Sequence, residues 1–446
     1  MSSFDPRPGA GDEHRIGRVW DRVLEALAIA ESIPMHAAIG NVERRHRDLG
    51  KKERDRLRSL SFALVRNRRR LESEIARASK AEKKRTDLEP PVAHRLLLYA
   101  GVAQGLDPEL PDGALDLVAR QDPPFFRRFR TILERLASDR IPKLKATPQE
   151  RLAIECNLPS WIVESWQARI GLETASEWAR ALAQRAPLTV VPRGLGRDEA
   201  LEQLRRENID AAPTSLSPLG IQLPRGTSVD AWEAPAFIVQ DEGSQLVALA
   251  AVESLAQRAK ILDACAGAGG KSLVLRELRP AAKLVCVEPD GSKQAELRRR
   301  IGEQGQLVKE RLEDWAPGQG AAFDAVLVDA PCTGSGTLRR HPDLSRRLSK
   351  ETLEKERHRQ RILLTAAFGT LKPGGRLVYA TCSMFHEENE DVVQAFGSDV
   401  PDARPESVFG GELGEKLGRA SSLRIGPGPD EDGPDGFFMA AFRKSS

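Results

Sequence analysis

Apolar residues recur at helical spacing through the first third of the chain. The stretch "IGRVWDRVLEALAIAES" places Val19, Val23, Leu24, Leu27 and Ala30 on one face. "DRLRSLSFALVRNRRRLESEIARA" continues the pattern through Leu57, Leu60, Leu64 and Ile75. "PVAHRLLLYAGVAQGL", opened by Pro91, reads as a third helix and "GALDLVAR" as a shorter fourth. The expectation is a helix bundle over 15–141 behind a disordered tail of residues 1–14, with the Leu, Val and Trp20 stripes as its core. Over 142–236 the character changes. "TPQERLAIECNLPSWIVESWQARIG" predicts a pair of short helices, with Trp161 and Trp166 as core anchors. "APLTVVPR", "RDEALEQLRREN" and "IDAAPTSLSPLGIQLP" predict strand, helix and further strands, a small α+β unit. From 237 to 446 strands alternate with helices. "AKILDA", "AKLVCVEPD", "QLVKERL", "FDAVLVDAPC" and "PGGRLVYATCS" read as successive strands, and "FFMAAFR" as a closing one. The near-continuous apolar run of "FDAVLV" is that of a buried parallel strand, and the alternation predicts a doubly wound α/β sheet.

Composition narrows the function. At 446 residues the chain exceeds a single typical core, so several domains are expected. No apolar run approaches the ~18 residues of a membrane span, and "MSSFDPRPGAGDEH" lacks the basic-then-apolar order of a signal peptide. A cytoplasmic protein with no membrane partner is the expectation. The five cysteines are scattered and show no CxxC spacing, and the seven histidines form no HxxxH pair. A disulfide framework and a metal site are therefore not expected. The formal charge is only +3, yet residues 41–95 carry 18 Lys and Arg against 9 Asp and Glu. That local excess, with "RNRRR" at 66–70, points to nucleic-acid contact.

The candidate chemistry begins at "DACAGAGGKS", residues 263–272. A phosphate loop ending in Gly270-Lys271-Ser272 would need glycine at position 265, where Cys265 stands. The loop follows the first strand of the α/β region, where such sheets bind ligands. The second strand ends in Glu288, an acid placed to meet ribose hydroxyls. Together these indicate an adenosine-bearing cofactor. Gly267, Gly269 and Gly270 form GxGG rather than GxGxxG, which argues against a dehydrogenase. "VDAPCTGSGTLRRHPD" then sets Asp329 and Cys332 after the fourth strand, and "YATCSMFHEENED" sets Cys382 after the fifth. Two cysteines at neighbouring strand ends would face one crevice.

At these residues the chain resembles the RsmB/Sun family of RNA cytosine-5 methyltransferases. The resemblance runs through 237–446, from "FIVQDEGSQLV" to "DGFF", and the paired "DAPC" and "ATCS" signatures are highly specific. Upstream, the helical region is similar to the NusB-like RNA-binding domain of the bacterial ribosomal RNA subgroup, and 142–236 to its connecting domain. The resemblance implies a multidomain fold: an all-α NusB-like bundle, a small α+β domain and a Rossmann-like α/β methyltransferase domain whose mostly parallel sheet has seven strands. It implies S-adenosyl-L-methionine as cofactor and small-subunit ribosomal RNA as partner; separately, the nearly balanced overall charge suggests a monomer. It assigns Cys382 as the nucleophile at cytosine C6, Cys332 to product release, Asp329 to the cytosine N3 edge and Lys271 to the site between base and cofactor. Cofactor contacts fall on Cys265, Ala266, Gly267, Ala268, Gly269, Gly270 and Lys271, on Glu288 and Asp329, and on an acid after the third strand, taken as Asp314. Arg339, Arg340 and His341 read as phosphate or substrate-loop contacts.

The chain departs from the commoner family loop Cys-Ala-Ala-Pro-Gly-Gly-Lys by carrying Gly267 and Ala268 in the third and fourth places, which loosens the loop. Arg193 stands where the family commonly has Asn. Two other readings stay open at this point: a transfer-RNA cytosine methyltransferase with the same catalytic residues, and a non-catalytic RNA-binding assembly factor.

Overall fold

The helical stripes of the first part of the chain close around one apolar core. The structure is a computed structural model that describes residues 10–81, 88–107, 110, 115–227, 237–303, 305–428 and 432–446. By compactness the chain divides into two units: Met1–Ala168 with His341–Arg347, and Arg169–Arg340 with Leu348–Ser446. This differs from the three-part division expected at 141/142 and 236/237.

In the first unit the helices Ala10–Ile29, Met35–Arg45, Lys51–Arg66, Arg68–Ala81, Pro90–Ala103 and Pro123–Ala137 supply the core. Val19, Trp20, Val23, Leu27, Leu57, Leu60 and Leu64 are buried as the spacing predicts. Burial of each large apolar side chain contributes about 1.5–3 kcal/mol. Helix begins at Ala10, so residues 10–14, expected in the tail, are helical; residues 1–9 lie outside the described ones. One buried polar cluster interrupts the core. Arg56 and Trp20 both donate to the carboxylate of Asp107, at 2.6 and 3.0 Å. The pair Pro148–Glu155 and Ser160–Ile170 forms as expected, the first opened by a reciprocal cap in which Thr147 and Glu150 satisfy each other's backbone N–H. Trp166 is buried.

The arginines of "RNRRR" do not form an unpaired cationic stripe. Arg68 pairs with Glu31 and Glu72, and Arg70 with Glu74. The segment His341–Arg347 belongs to this unit through local bonds: Asp343 accepts from the Met35 N–H, Arg346 pairs with Glu31, and Asn157 donates to the Pro342 carbonyl.

The second unit holds two sheets. Strands β1 (Leu188–Pro192), β2 (Ala212–Pro213), β3 (Ile221–Leu223) and β4 (Phe237–Val239) form a small sheet in the order β2-β3-β1-β4, antiparallel throughout. The helix Arg197–Arg206 packs Ala200 and Leu204 with Val190 and Ile221. β4 lies beyond the expected boundary at 236, yet it pairs with β1. The main sheet comprises β5 (Lys260–Asp263), β6 (Lys283–Val287), β7 (Gln306–Val308), β8 (Phe323–Asp329), β9 (Leu371–Thr381), β10 (Ala403–Glu406), β11 (Ser422–Ile425) and β12 (Phe437–Lys444). Its order is β10-β12-β9-β8-β5-β6-β7, with β11 on β12, so eight strands stand where seven were expected. β7, β6, β5, β8 and β9 run parallel; β12, β10 and β11 join antiparallel. The chain leaves β5 towards β6 and β7, then returns to β8 on the opposite side. That reversal opens a crevice at the carboxyl ends of β5 and β8. No helix among the described residues is long and apolar enough to cross a membrane.

Candidate active site

Parallel strands deliver their carboxyl ends to one edge, so four loops converge there. β5 ends at Asp263, β6 runs into Glu288, β8 ends at Asp329 and β9 runs into Cys382. They surround a cavity of about 730 Å³, lined among others by Cys265, Gly267, Lys271, Glu288, Asp329, Cys332 and Cys382. Its volume lies within the range of cofactor and small-ligand sites.

The two sulfurs are the nearest reactive pair. Cys332 Sγ and Cys382 Sγ lie 3.5 Å apart, although 50 residues separate them in the chain. The hydrogen bond with Cys382, together with burial, raises the Cys332 thiol well above the ordinary thiol range. Beside them Lys271 Nζ sits 2.7 Å from Asp329 Oδ2 and 5.4 Å from the Phe437 ring centre. Burial opposes the lysine charge, but the negative charge on Asp329 and its hydrogen bond outweigh that, and the lysine pKa is raised. Lys271 is thus a part-buried ammonium paired with Asp329 and not a fully solvated side chain at a helix start. Beneath it Asp263 is buried and accepts from Ser272 Oγ at 2.6 Å. Burial pushes its carboxyl up to about 6. Burial likewise pushes the Cys265 thiol up, which leaves it an inert wall of the cavity.

The loop after β5 fits an adenosine-bearing cofactor. Gly267 lines the cavity at φ +57°, and no atom lies within 4 Å of where a Cβ would stand. The backbone is therefore open to close approach by a ligand. Gly269 has φ +83°, and a Cβ there would come 2.7 Å from Leu297, so the position requires glycine to pack the helix Gly270–Leu278 against Gly291–Ile301. Glu288 uses one carboxylate oxygen to accept the Asp290 N–H at 2.8 Å, which leaves the other for a ribose. Ala266, Ala268, Gly269 and Gly270 shape the loop without lining the cavity. Asp314 does not line it either: the side chain is exposed on the short helix Leu312–Trp315, and Glu313, one residue earlier, lines the cavity instead.

The arginines after β8 also differ from expectation. Arg339 is buried and bonded to Asp435 and to the Gly433 carbonyl, so it is not a surface contact for phosphate. Arg340 lines the cavity but is tied to Asp435 and Asp241. His341 groups with the helical unit, its ring 5.6 Å from that of His36. Arg193 pairs with Glu277 at 2.9 Å. Residues not singled out from the sequence also reach the cavity. Val239 is exposed at its edge, Asp241 and Phe437 line it, and Arg359 projects from the helix Lys350–Gly369. Arg359 forms no ion pair with a carboxylate among the described residues. Basic residues abound on that helix, and nothing in the sequence distinguishes this one. Among the described residues no cluster suited to a metal ion occurs.

Comparison with known proteins gives the same picture. Residues 250–443 match the family described as 16S rRNA methyltransferase RsmB/F, and residues 158–230 match the ferredoxin-like domain of RsmF/B-like methyltransferases. The chain is 34% identical over 313 residues to the ribosomal RNA small subunit methyltransferase B of Xylella fastidiosa (strain 9a5c), covering 68% of this chain and 72% of the relative. To the protein of that name from Sodalis glossinidius it is 31% identical over 448 residues, covering 95% and 98%. The crystal structure of PH0851 shares the fold with a TM-score of 0.74 at 22% identity, covering 96% of this chain and 99% of that one. With two cysteines meeting at the ends of adjacent strands and relatives matched at this level, the chain belongs to the RsmB/Sun family, as an S-adenosylmethionine-dependent RNA (cytosine-5) methyltransferase.

Proposed function

We propose that the protein forms 5-methylcytosine in small-subunit ribosomal RNA, with Cys382 as the nucleophile. The observation that carries this reading is the 3.5 Å approach of Cys332 and Cys382 beside the Lys271–Asp329 pair. The relatives' name, ribosomal RNA small subunit methyltransferase B, supports the choice of RNA.

Cytosine C5 is too weak a nucleophile to take a methyl group unaided. The Cys382 thiolate adds to C6, forming a carbon–sulfur bond and making C5 an enamine carbon. Lys271 occupies one oxygen of Asp329; the other faces the cytosine N3 edge and relays to N3 the proton given up by the Cys382 thiol, so that no negative charge is left on the ring as sulfur adds. Bound S-adenosylmethionine supplies an electrophilic methyl group on a sulfonium. Glu288 would hold its ribose, Glu313 would take the place expected of Asp314, and Cys265, Gly267 and Lys271 are the loop residues that would meet it. C5 takes the methyl group. The C5 and N3 protons pass to water, the C5–C6 double bond re-forms, and the carbon–sulfur bond breaks with its electron pair leaving on Cys382. Cys332, held as a thiol, donates its S–H to the departing sulfur. A cytoplasmic monomer completes the reading.

The test is methyl transfer from labelled S-adenosylmethionine to unmodified small-subunit rRNA by the Cys382→Ala variant. Loss of turnover with a normal melting temperature is expected. Turnover at the wild-type rate would overturn the assignment.

A further inference from the structure

Sheet pairing alone does not fix the distance between the two sulfurs. The β8–β9 ladder ends near Asp329 and Ala380, where the Ala330 N–H still donates to the Ala380 carbonyl. Cys332 and Cys382 both lie beyond that point, on the loops that follow. Those loops are joined by direct bonds, from the Gly336 N–H to the Cys382 carbonyl and from the Met384 N–H to Ser335 Oγ, both at 2.9 Å, and by one carboxylate that bonds to both. Glu388, in the short turn His386–Glu388, is fully buried. Its Oε1 accepts from the Thr333 N–H at 2.8 Å and from Gln360 Nε2 at 3.0 Å. Its Oε2 accepts from the hydroxyls of Thr333 and Ser383. Thr333 follows Cys332 and Ser383 follows Cys382. The residues preceding the cysteines are held as well. Gln360 Nε2 donates to the Pro331 carbonyl at 2.8 Å. Asn389, next to Glu388, accepts from the Thr381 hydroxyl and donates to the Ser383 carbonyl at 2.8 Å.

We propose that Glu388 is a positioning residue: its carboxylate clamps the residues following both cysteines and thereby sets the separation of the two sulfurs. The proposal rests on the reading of Cys332 and Cys382 as the reacting pair. A buried acid inside a merely structural network is the competing view. Against it stands the chemistry of the clamp. Glu388 forms no ion pair among the described residues, only bonds to neutral donors, and burial pushes its carboxyl above the ordinary range. A desolvated acid without a cation is an expensive way to fill space. This one lies directly behind the two thiols. A carboxylate can accept from four donors at once, two on each oxygen, which few neutral side chains match. A loop shift of about 1 Å at a reacting centre is enough to lower a rate by roughly 100-fold.

The test measures thiol proximity without RNA. The protein is equilibrated with reduced and oxidised glutathione, and the Cys332–Cys382 disulfide is quantified. Two protein thiols are oxidised as one glutathione disulfide is reduced to two thiols, so the equilibrium reports the effective concentration of one sulfur at the other. Glu388→Ala is expected to lower that concentration by roughly tenfold or more. Glu388→Gln is expected to restore most of it, since one amide orientation keeps the oxygen that accepts both N–H groups. The same Glu388→Ala enzyme, given rRNA and S-adenosylmethionine, is expected to accumulate covalent RNA adduct while the Gln variant does not. A folded Glu388→Ala protein with wild-type glutathione equilibrium and adduct level would overturn the proposal. If that variant does not fold, Ser383→Ala and Thr333→Val decide. Each removes one donor, each is expected to weaken disulfide formation, and no change in either would overturn the clamp. Because the glutathione equilibrium needs no methyl transfer, a failure of the nucleophile assignment would leave it intact and is scored separately.

Discussion

Lys271 Nζ lies 2.7 Å from Asp329 Oδ2, so a lysine at a helix start and an acid at a strand end, 58 residues apart, form one charged unit facing the cavity that Cys332 and Cys382 also line. If that unit stabilises charge on the ring, each half depends on the other. Lys271→Met and Asp329→Asn are each expected to lower kcat by roughly 10²–10³-fold, the range for losing one preorganised polar group at a developing charge. The double variant should lose little more than either single one. Single-turnover kinetics on unmodified rRNA provide the check. Additive losses would mean that the two groups act separately.

In the proposed mechanism Cys382 attacks and Cys332 serves release, so that removing the Cys332 S–H should slow sulfur departure while addition and methylation continue. Cys332→Ala is expected to accumulate a covalent protein–RNA adduct that survives denaturing gel electrophoresis. Absence of adduct under turnover conditions would assign release to another group.

Arg359 is exposed on the cavity wall and forms no ion pair with a carboxylate among the described residues. A phosphate flanking the target nucleotide is a natural partner for it. Arg359→Ala is expected to raise KM for RNA by roughly five- to tenfold, leave the S-adenosylmethionine affinity unchanged, and reduce the salt slope of RNA binding by about one. An unchanged slope would place the phosphate elsewhere.

Much of this fold was legible in the sequence. The apolar runs of β8 and of β9 after its Pro-Gly-Gly turn mark buried parallel strands, because burial on both faces leaves no room for alternation. β10 and β11 escaped notice. Each is only four residues long, and "ARPE" carries a proline at the sheet edge with two exposed side chains. The cysteines, Glu288 and the glycine loop stood out because strand ends in such a sheet share one edge. Glu313 and Asp314 could not be separated, since adjacent positions on a helical turn differ by about 100° in direction. Arg339 read as a phosphate or substrate-loop contact because its partner Asp435 is 96 residues away. Glu388 sits in "HEENED", where only tertiary packing decides which polar residue turns inward.

Asp263 gives the protein a pH signature. Its folded carboxyl is raised by burial from 3.8 to about 6. The stability it contributes is therefore complete below about pH 4 and lost as pH rises through 6. Asp263→Asn removes that dependence. Between pH 4 and 7 the melting temperature of the wild type should fall relative to the variant, by the equivalent of roughly 2–3 kcal/mol. A difference that does not vary with pH would mean that the carboxyl is not raised in the folded protein.

The bond between Cys382 and the pyrimidine ring can be observed directly. RNA carrying 5-fluorocytidine at the methylated position blocks release, because C5 then has no proton to lose. Wild-type enzyme incubated with that RNA and S-adenosylmethionine should be trapped, and mass spectrometry of the digested adduct should find the nucleotide on the peptide containing Cys382. A nucleotide on Cys332, or no adduct at all, would contradict the mechanism.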